Sequence, residues 1–500
     1  MQPLLTSSQI KAADAYTIKH EPIASIDLME RAARAFVKCF TGHYPDKEKH
    51  IAIYCGTGNN GGDGLAIARL LHQAHYKNVN VKIARFSDKS TDDFNENLRR
   101  LKVARIDIME LNPDDTLMIE SADIIIDALL GTGLNKPLSG AYKKLVDYLN
   151  SLDKITVAVD IPTGFFADGD IPKDAAILKC GLVITFQQPK LNFLLPESAP
   201  CIDVFKVADI GIKPEYIERQ NSQYGLLEQA DINAKLKTRK KFTHKGTYGH
   251  ALIIAGQPET MGAALLCSSA CAHTGAGLTT ACIPESGLTA LNTSLPEVMA
   301  VVRKDGNVPK IEWDKFSAIA TGPGLGKKAD ALTLLQTAFT EFDKPMVIDA
   351  DALNLVAENY LFKKIPANSI LTPHMKEFDR LFGEHNSWWS RIETMIAKAK
   401  EFQLFIVLKN SYTIIGSPEG KVYFNPTGNP AMASGGMGDV LTGVIASLLA
   451  QNYSPEDACL IGVYIHGMAG DDLALPGKLT TVLAGGVAAH IPAVMAKIKA

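Results

Sequence analysis

Short apolar runs alternate with helix-length amphipathic segments twice along this chain. The first series is "HIAIYCG", "VNVKIARF", "ADIIIDALLG", "KITVAVDIPTG" and "GLVITFQ"; the second is "GHALIIAG", "GLTTACIP", "FSAIATGPGLG", "PMVIDADAL", "SILTPH" and "LFIVLKN". Runs of this kind, bounded by turn residues, read as strands buried on both faces, and that burial demands a parallel sheet sandwiched between helices. Between the series, "KPEYIERQNSQYGLLEQADINAKLKTRKKF" is rich in charge and poor in strands. The pattern therefore predicts two α/β domains, 1–225 and 226–500. A helical segment from Ser8 to Phe40, with Ser8 as its cap, precedes the first strand.

Length agrees with this division, since 500 residues, 46% of them apolar, fill several domains of roughly 150 residues each. A net charge of −3 with acids and bases interspersed gives no reason to expect nucleic acid or a membrane surface as partner, and small molecules are the expected ligands. The eight cysteines show no C-x-x-C spacing, so neither a zinc site nor a disulfide framework is signalled. No basic flank leads into an apolar core at the N-terminus, and no run approaches about 18 apolar residues. A cytoplasmic protein is expected, assembled as a homo-oligomer.

After "HIAIYC" comes "GTGNNGGDG", which holds the spacing G-x-G-x-x-G at Gly56, Gly58 and Gly61. In a dinucleotide fold the pyrophosphate rests on the helix N-terminus, where Asp63 would repel it, and no acidic residue ends the next strand. An ordinary dehydrogenase is disfavoured. Two other strand ends are polar: Asp127 followed by Gly131 and Gly133, and Asp160 followed by Thr163. Carboxyl ends of parallel strands share one edge, so the loops of Asn60, Asp127 and Asp160 are expected to converge on one crevice. Amide, carboxylate and hydroxyl oxygens there suit a hard cation.

The ordered set "GTGNNGGDG", "DALLGTG" and "VAVDIPTG" resembles the NAD(P)H-hydrate epimerase family over most of residues 1 to 220. The resemblance implies a Rossmann-like, three-layer domain that interconverts the R and S forms of nicotinamide cofactors hydrated at C6, with a potassium ion in the site. Carried over by motif, Asn60, Asp127 and Thr163 hold the potassium. Asn59, Asn60, Gly61, Gly62 and Asp63 line the substrate, with Gly131, Thr132, Gly133, Leu134, Asn135, Lys136 and Pro137, Tyr142 and Asp160. Asp160 is the expected acid/base. The family more often has serine at Thr163, but a threonine hydroxyl offers the same lone pairs.

In "NPAMASGGMGDVLTGVIASLLA" the apolar positions recur at helical spacing from Val440, so a helix starts close to Asp439 with glycines before its first turn. Free amides of Gly435 to Gly438 would then face an anion together with the helix dipole. The lysine of a Walker motif is absent. Asp439 is either a helix cap or the base that takes a proton from an attacking hydroxyl. "GGMGD" resembles the anion hole of ribokinase-like kinases. With "HKGTYGHALIIAG", "GPGLG", "IDADALN" and "LTPH" in order, residues 235 to 495 resemble the nucleotide-dependent NAD(P)H-hydrate dehydratases.

The whole chain thus resembles the bacterial bifunctional NAD(P)H-hydrate repair family, acting on NADHX and NADPHX. The resemblance implies a ribokinase-like second domain that uses ADP as phosphoryl donor, with magnesium. By position, Ala263, Gly324, His374 and Asp439 contact the hydrate, Lys409, Asn410, Ser411, Tyr412, Thr413 and Gly438 hold the nucleotide, and Asp439 is the base. Asn410 stands where the family has glycine and is expected to tolerate positive φ. Asp349 and Asp351 are either metal or water ligands or the cap of the next helix. A small-molecule kinase fused to a binding domain, and a dehydratase with a non-catalytic first domain, remain as alternatives.

Overall fold

The computed structural model describes residues 1–116, 119–304, 307–474 and 479–499. The chain divides into two compact units: Pro3–Ser222 with Ser387–Trp389, and Met1–Gln2 with Gln223–Asn386 and Ser390–Ala500. Both are α/β.

The first unit is built on a seven-stranded sheet in the order Asp107–Leu111, Asn78–Ala84, His50–Cys55, Ile124–Ala128, Ile155–Val159, Cys180–Phe186, Ile202–Ala208. Every neighbouring pair is parallel. The pleat sends alternate residues to opposite faces. Ile51, Ile53 and Cys55 join Phe36 and Phe40 in one core, whereas Ala52 and Tyr54 join Leu145 and Phe165 in the other. From His50–Cys55 the chain works outward to Asp107–Leu111 and returns on the other side at Ile124–Ala128. The switch point, where the flanking loops part, lies between those two strands.

In the second unit the sheet runs from Tyr224–Leu226 through Val422–Asn425, Thr413–Gly416, Phe405–Leu408, Ile370–Leu371, Met346–Ile348, Ala318–Thr321, His250–Ile254 and Leu278–Pro284 to Met299–Arg303. Its central pairs are parallel, and Thr413–Gly416 pairs antiparallel with both of its neighbours. The switch point here falls between His250–Ile254 and Ala318–Thr321.

Two local expectations are corrected. The helical segment before the first strand is two helices, Ser7–His20 and Ser25–His43, separated at Pro22. The cap of the first is Thr6 rather than Ser8, and the Thr6 amide donates to the Gln9 side chain at 3.0 Å. Asp63 lies inside the helix Asn59–Gln73, past its first turn. Strands at Asp107–Leu111 and Met299–Arg303 carry exposed side chains such as Met109 and Met299, so they lack the apolar runs that mark the inner strands. Among the described residues no helix is long and apolar enough to cross a membrane, and the cysteines are free thiols.

The helix Met437–Ala450 packs on Met261–Thr274. Contact is close because Gly443 has no side chain: a Cβ there would stand 2.1 Å from the Cys267 carbonyl oxygen. Gly443→Ala is therefore expected to destabilise this unit by about 1–3 kcal/mol, as overpacking does, and an unchanged urea midpoint would contradict the packing.

Candidate active sites

A cleft of about 860 Å³ opens at the switch point of the first sheet. Asn59, Asn60, Asp63, Gly131, Thr132, Gly133, Leu134 and Asp160 line it. Gly61 and Gly62 lie beneath, where a Cβ would stand 1.8 Å from the Gly56 carbonyl oxygen and 2.9 Å from Met29 Sδ respectively. Their part is to let the helix start pass close under the loop. Asn135, Lys136 and Pro137 are exposed and do not line the cleft, and Tyr142 packs edge-on against Phe86, centroids 5.0 Å apart.

Asp127 is fully buried at the end of its strand. It accepts hydrogen bonds from the Thr163 hydroxyl at 2.7 Å, the Thr163 amide at 2.7 Å and the Leu129 amide at 3.1 Å. Burial nevertheless pushes its carboxyl up to about 6, against the pull of those bonds. Asn60 is buried against Gly131, and its side-chain nitrogen has no partner among the described residues. The structure thus joins Asp127 to Thr163 directly and leaves the Asn60 amide uncommitted. These side chains offer amide, carboxylate and hydroxyl oxygens, the donor set of a hard cation.

Asp160 has φ +64 and forms the centre of a three-residue turn closed by Ile161 N to Val159 O at 2.8 Å. A positive φ in such a turn is strained for a side chain larger than glycine's, though aspartate tolerates it better than most. Its Oδ1 accepts from Lys190 Nζ at 2.6 Å, the Phe186 amide at 2.9 Å and Thr185 Oγ1 at 3.1 Å. Lys190 is only 1% exposed, and its ammonium is the counter-charge that a half-buried carboxylate requires. Asp63 is partly open to the cleft; burial, with Asp160, Asp14 and Asp93 nearby, pushes its carboxyl well above the ordinary range.

In the second unit the helix Met437–Ala450 begins after Gly436, whose φ is +92. Its first bond runs from Val440 N to Gly436 O at 3.1 Å, so the preceding amides have no intrahelical partner. Asp439 stands in the first turn. Burial, then Asp349, raises its carboxyl to about 6, with Lys409 opposing and Asp351 adding to the rise. The carboxylate of Asp349 is committed, Oδ1 to Lys409 Nζ at 2.9 Å and Oδ2 to Thr442 Oγ1 at 2.8 Å. Although Asp349 occupies the N-cap position of Ala350–Glu358, its side chain does not cap that helix. Asp351 accepts from the Gly326 amide at 2.8 Å.

The other expected contacts occupy the same edge of the sheet. Ala263 lies in the first turn of Met261–Thr274, and the Gly324 carbonyl accepts from Thr260 Oγ1 at 2.7 Å. His374 caps the helix Met375–Phe382, Nδ1 accepting from the Lys376 and Glu377 amides at 3.1 and 3.2 Å. Lys409 to Tyr412 form the turn leading into Thr413–Gly416. Asn410 does not have positive φ, so that expectation is corrected: the turn is closed instead by Thr413 Oγ1 donating to Asn410 O at 3.1 Å. Gly438 is where a Cβ would come within 3.3 Å of Lys409 Nζ. Sequence reasoning missed Lys190, Asp14 and Thr442. Lys190 follows a strand's carboxyl end, the signal that found Asp160, while Asp14 and Thr442 sit inside helices with nothing to distinguish them.

Each unit is a parallel-sheet fold with acid-bearing loops gathered at its switch point, the architecture of an enzyme with two small-molecule sites. Residues 25–192 match the family model described as YjeF-related protein N-terminus, and residues 251–492 match that of NAD(P)H-hydrate dehydratase. A protein of Moorella thermoacetica named bifunctional NAD(P)H-hydrate repair enzyme is 33% identical, over 99% of this chain and 97% of its own. One of the same name from Escherichia coli is 33% identical over 90% and 85%. The chain belongs to the family of bifunctional NAD(P)H-hydrate repair enzymes. Among solved structures, a ribokinase-like superfamily protein from Enterococcus faecalis matches with TM-score 0.50 and 27% identity, covering 56% of this chain and 98% of that one. An ADP/ATP-dependent NAD(P)H-hydrate dehydratase from Bacillus subtilis, co-crystallised with ATP and magnesium, gives TM-score 0.49 and 32% identity over 55% and 98%.

Breaking the pair of Lys409 with buried Asp349 leaves a charge without its partner. Lys409→Met is expected to cost about 3 kcal/mol or more in urea unfolding, whereas Thr442→Val, which removes one neutral donor, costs about 1–2 kcal/mol.

Proposed function

We propose that the first unit epimerises the R and S hydrates of NADH and NADPH, and that the second dehydrates the S form with ADP as phosphoryl donor. The observation that carries the second half is the position of Asp439: partly buried, basic enough to accept a proton near neutrality, and directly beside amides that have no intrahelical partner. Hydroxide is a poor leaving group from the hydrated ring and phosphate a good one. Asp439 takes the proton of the C6 hydroxyl as that oxygen attacks the terminal phosphorus of ADP. The amides around Gly436 and Gly438 accept the charge that develops on the transferring group. With AMP released, the ring nitrogen's electron pair expels phosphate from C6 to leave an N=C6 iminium, and loss of a proton from C5 then forms the C5=C6 double bond of the reduced nicotinamide.

Magnesium, when bound with the nucleotide, would neutralise phosphate charge. The phosphates themselves would supply most of its ligands, because Asp349 is committed to Lys409 and Thr442. In the first unit a potassium ion fits the oxygens of Asn60, Asp127 and Thr163, and it would supply a fixed positive charge at the base of the cleft. The fully buried Asp127 carboxyl, with the Thr163 hydroxyl oxygen directly beside it, supports this assignment. Asp160 is the proton-transfer group, oriented by Lys190 and the Phe186 amide.

Asp439→Asn keeps the shape of the helix start and removes the base. Dehydration of the purified S hydrate, followed by the reduced-nicotinamide absorbance, should fall by about a hundredfold or more. In the wild type, kcat/KM should decline as pH drops through about 6, because only the ionised Asp439 accepts a proton. A profile flat down to pH ~4, the range of an unperturbed aspartate, would remove Asp439 from this role. Accumulation of a stable phosphomonoester in place of reduced nicotinamide would instead identify a kinase.

Asparagine tolerates the left-handed backbone of Asp160 but leaves the buried Lys190 ammonium without its counter-charge, so the thermal midpoint of Asp160→Asn is measured beside its activity. With mixed hydrates and ADP, the variant should consume the S form at the wild-type rate and then stall at the slow pace of spontaneous epimerisation. Consumption of the R form as fast as by wild type would make the first unit a binding module.

A further inference from the structure

Asp14 lies on the helix Ser7–His20 and lines the large cleft; it also lines a side cavity of about 90 Å³, and Asp160 borders both spaces. Two carboxyl groups therefore stand at the junction of these cavities, on separate elements, with different surroundings. Asp160 is held by three donors, one of them the buried Lys190 ammonium. Burial is the main influence on Asp14; the charge of Asp160 adds to it, Lys190 opposes it, and together they raise the Asp14 carboxyl to about 6. The other charged groups facing this space are Asp63 across the cleft and Lys11 on the same helix, while the neighbouring helices Ser25–His43 and Pro214–Arg219 present Leu28, Met29, Ala32 and Ile217. A pair of carboxyl groups whose environments differ in this way is suited to opposite proton transfers.

We infer that Asp14 is a second proton-transfer residue of the first site, acting as acid where Asp160 acts as base; this rests on the epimerase reading. C6 of the hydrated ring bears a hydroxyl and is bonded to the ring nitrogen, so it is a hemiaminal. Asp160 takes the hydroxyl proton, the oxygen's electron pair forms the C=O bond, and the C6–N bond breaks with its pair passing to nitrogen. Asp14 gives nitrogen a proton. The product is an open-chain aldehyde with an enamine N–H, and rotation about the C5–C6 bond turns its other face to the nitrogen. Closure reverses each transfer: nitrogen attacks C6, Asp14 takes back the nitrogen's proton, and Asp160 returns its proton to the oxygen. Nothing is consumed, and both carboxyl groups end as they began. The side cavity gives the carbonyl arm space to rotate.

The test uses the full chain without ADP, so that the second unit is silent, and separates the two epimers by chromatography. Wild type should interconvert them with a rate that falls as pH rises through about 6, where Asp14 loses its proton. Asp14→Asn should lower kcat by about a hundredfold with little change in KM and lose that limb, and Asp14→Glu should recover part of the rate. Two controls, an unchanged thermal midpoint and unchanged S-hydrate dehydration once ADP is added, separate lost chemistry from lost folding. If Asp14→Asn interconverts the epimers at the wild-type rate, or keeps the limb, Asp14 has no such role. If the wild-type chain interconverts them no faster than buffer, the epimerase reading falls, and this inference with it.

Discussion

At the first switch point, and one strand over from the second, neighbouring strands end with their backbones so close that no side chain fits between them. A Cβ on Gly56 would stand 2.0 Å from the Leu129 carbonyl oxygen, and one on Gly322 would stand 1.8 Å from that of Asp349. The switch points themselves are tied by Gly56 N to Ala128 O at 3.0 Å in the first unit and Gly256 N to Pro323 O at 2.9 Å in the second. With the strand ends locked, the loops that leave them must diverge, and the space between them becomes a crevice of fixed shape. Asn60 meets Gly131 across the first of these crevices, while Asp351 against Gly326 and Asp349 against Thr442 fix the loops beside the second.

The two sites share an electrostatic plan although their folds differ. Each gathers acidic side chains, Asp14, Asp63 and Asp160 in one and Asp349, Asp351 and Asp439 in the other, around one largely buried lysine. Lys190 bonds Asp160, and Lys409 bonds Asp349 at 2.9 Å with Glu377 at 4.0 Å as a second, looser partner. Another carboxyl, Asp14 or Asp439, has no ion pair among the described residues and is raised towards neutrality by burial and by its neighbours. Lysine charge thus serves for orientation, and proton affinity is tuned by desolvation.

The parallel sheets were legible because inner strands must be apolar on both faces, as Ile124 to Ile126 and Ala251 to Ile254 are. Edge strands such as Asp107–Leu111 escaped, since half their surface meets water and no continuous apolar run is required. The positions of residues at strand ends and in loops were also legible: Asp127 ends its strand, Asp160 and Thr163 follow theirs, and glycines announce Asn60 and Asp439. What stayed hidden was set by helix packing. Asp14 reads as one polar position among several on its helix, and only the fold reveals that it faces Asp160. The commitment of Asp349 to Lys409 and Thr442 likewise joins segments far apart in the chain, which no local pattern encodes.

Carrying both units on one polypeptide has a consequence for supply and demand in the cell. Every molecule made brings one epimerase site and one dehydratase site, so their ratio cannot drift with expression level, degradation or dilution at division. The balance between the two activities then has to be written into the turnover numbers themselves. Substitutions near Asp14 or Asp160 would retune that balance as a change in gene dosage would for separate enzymes.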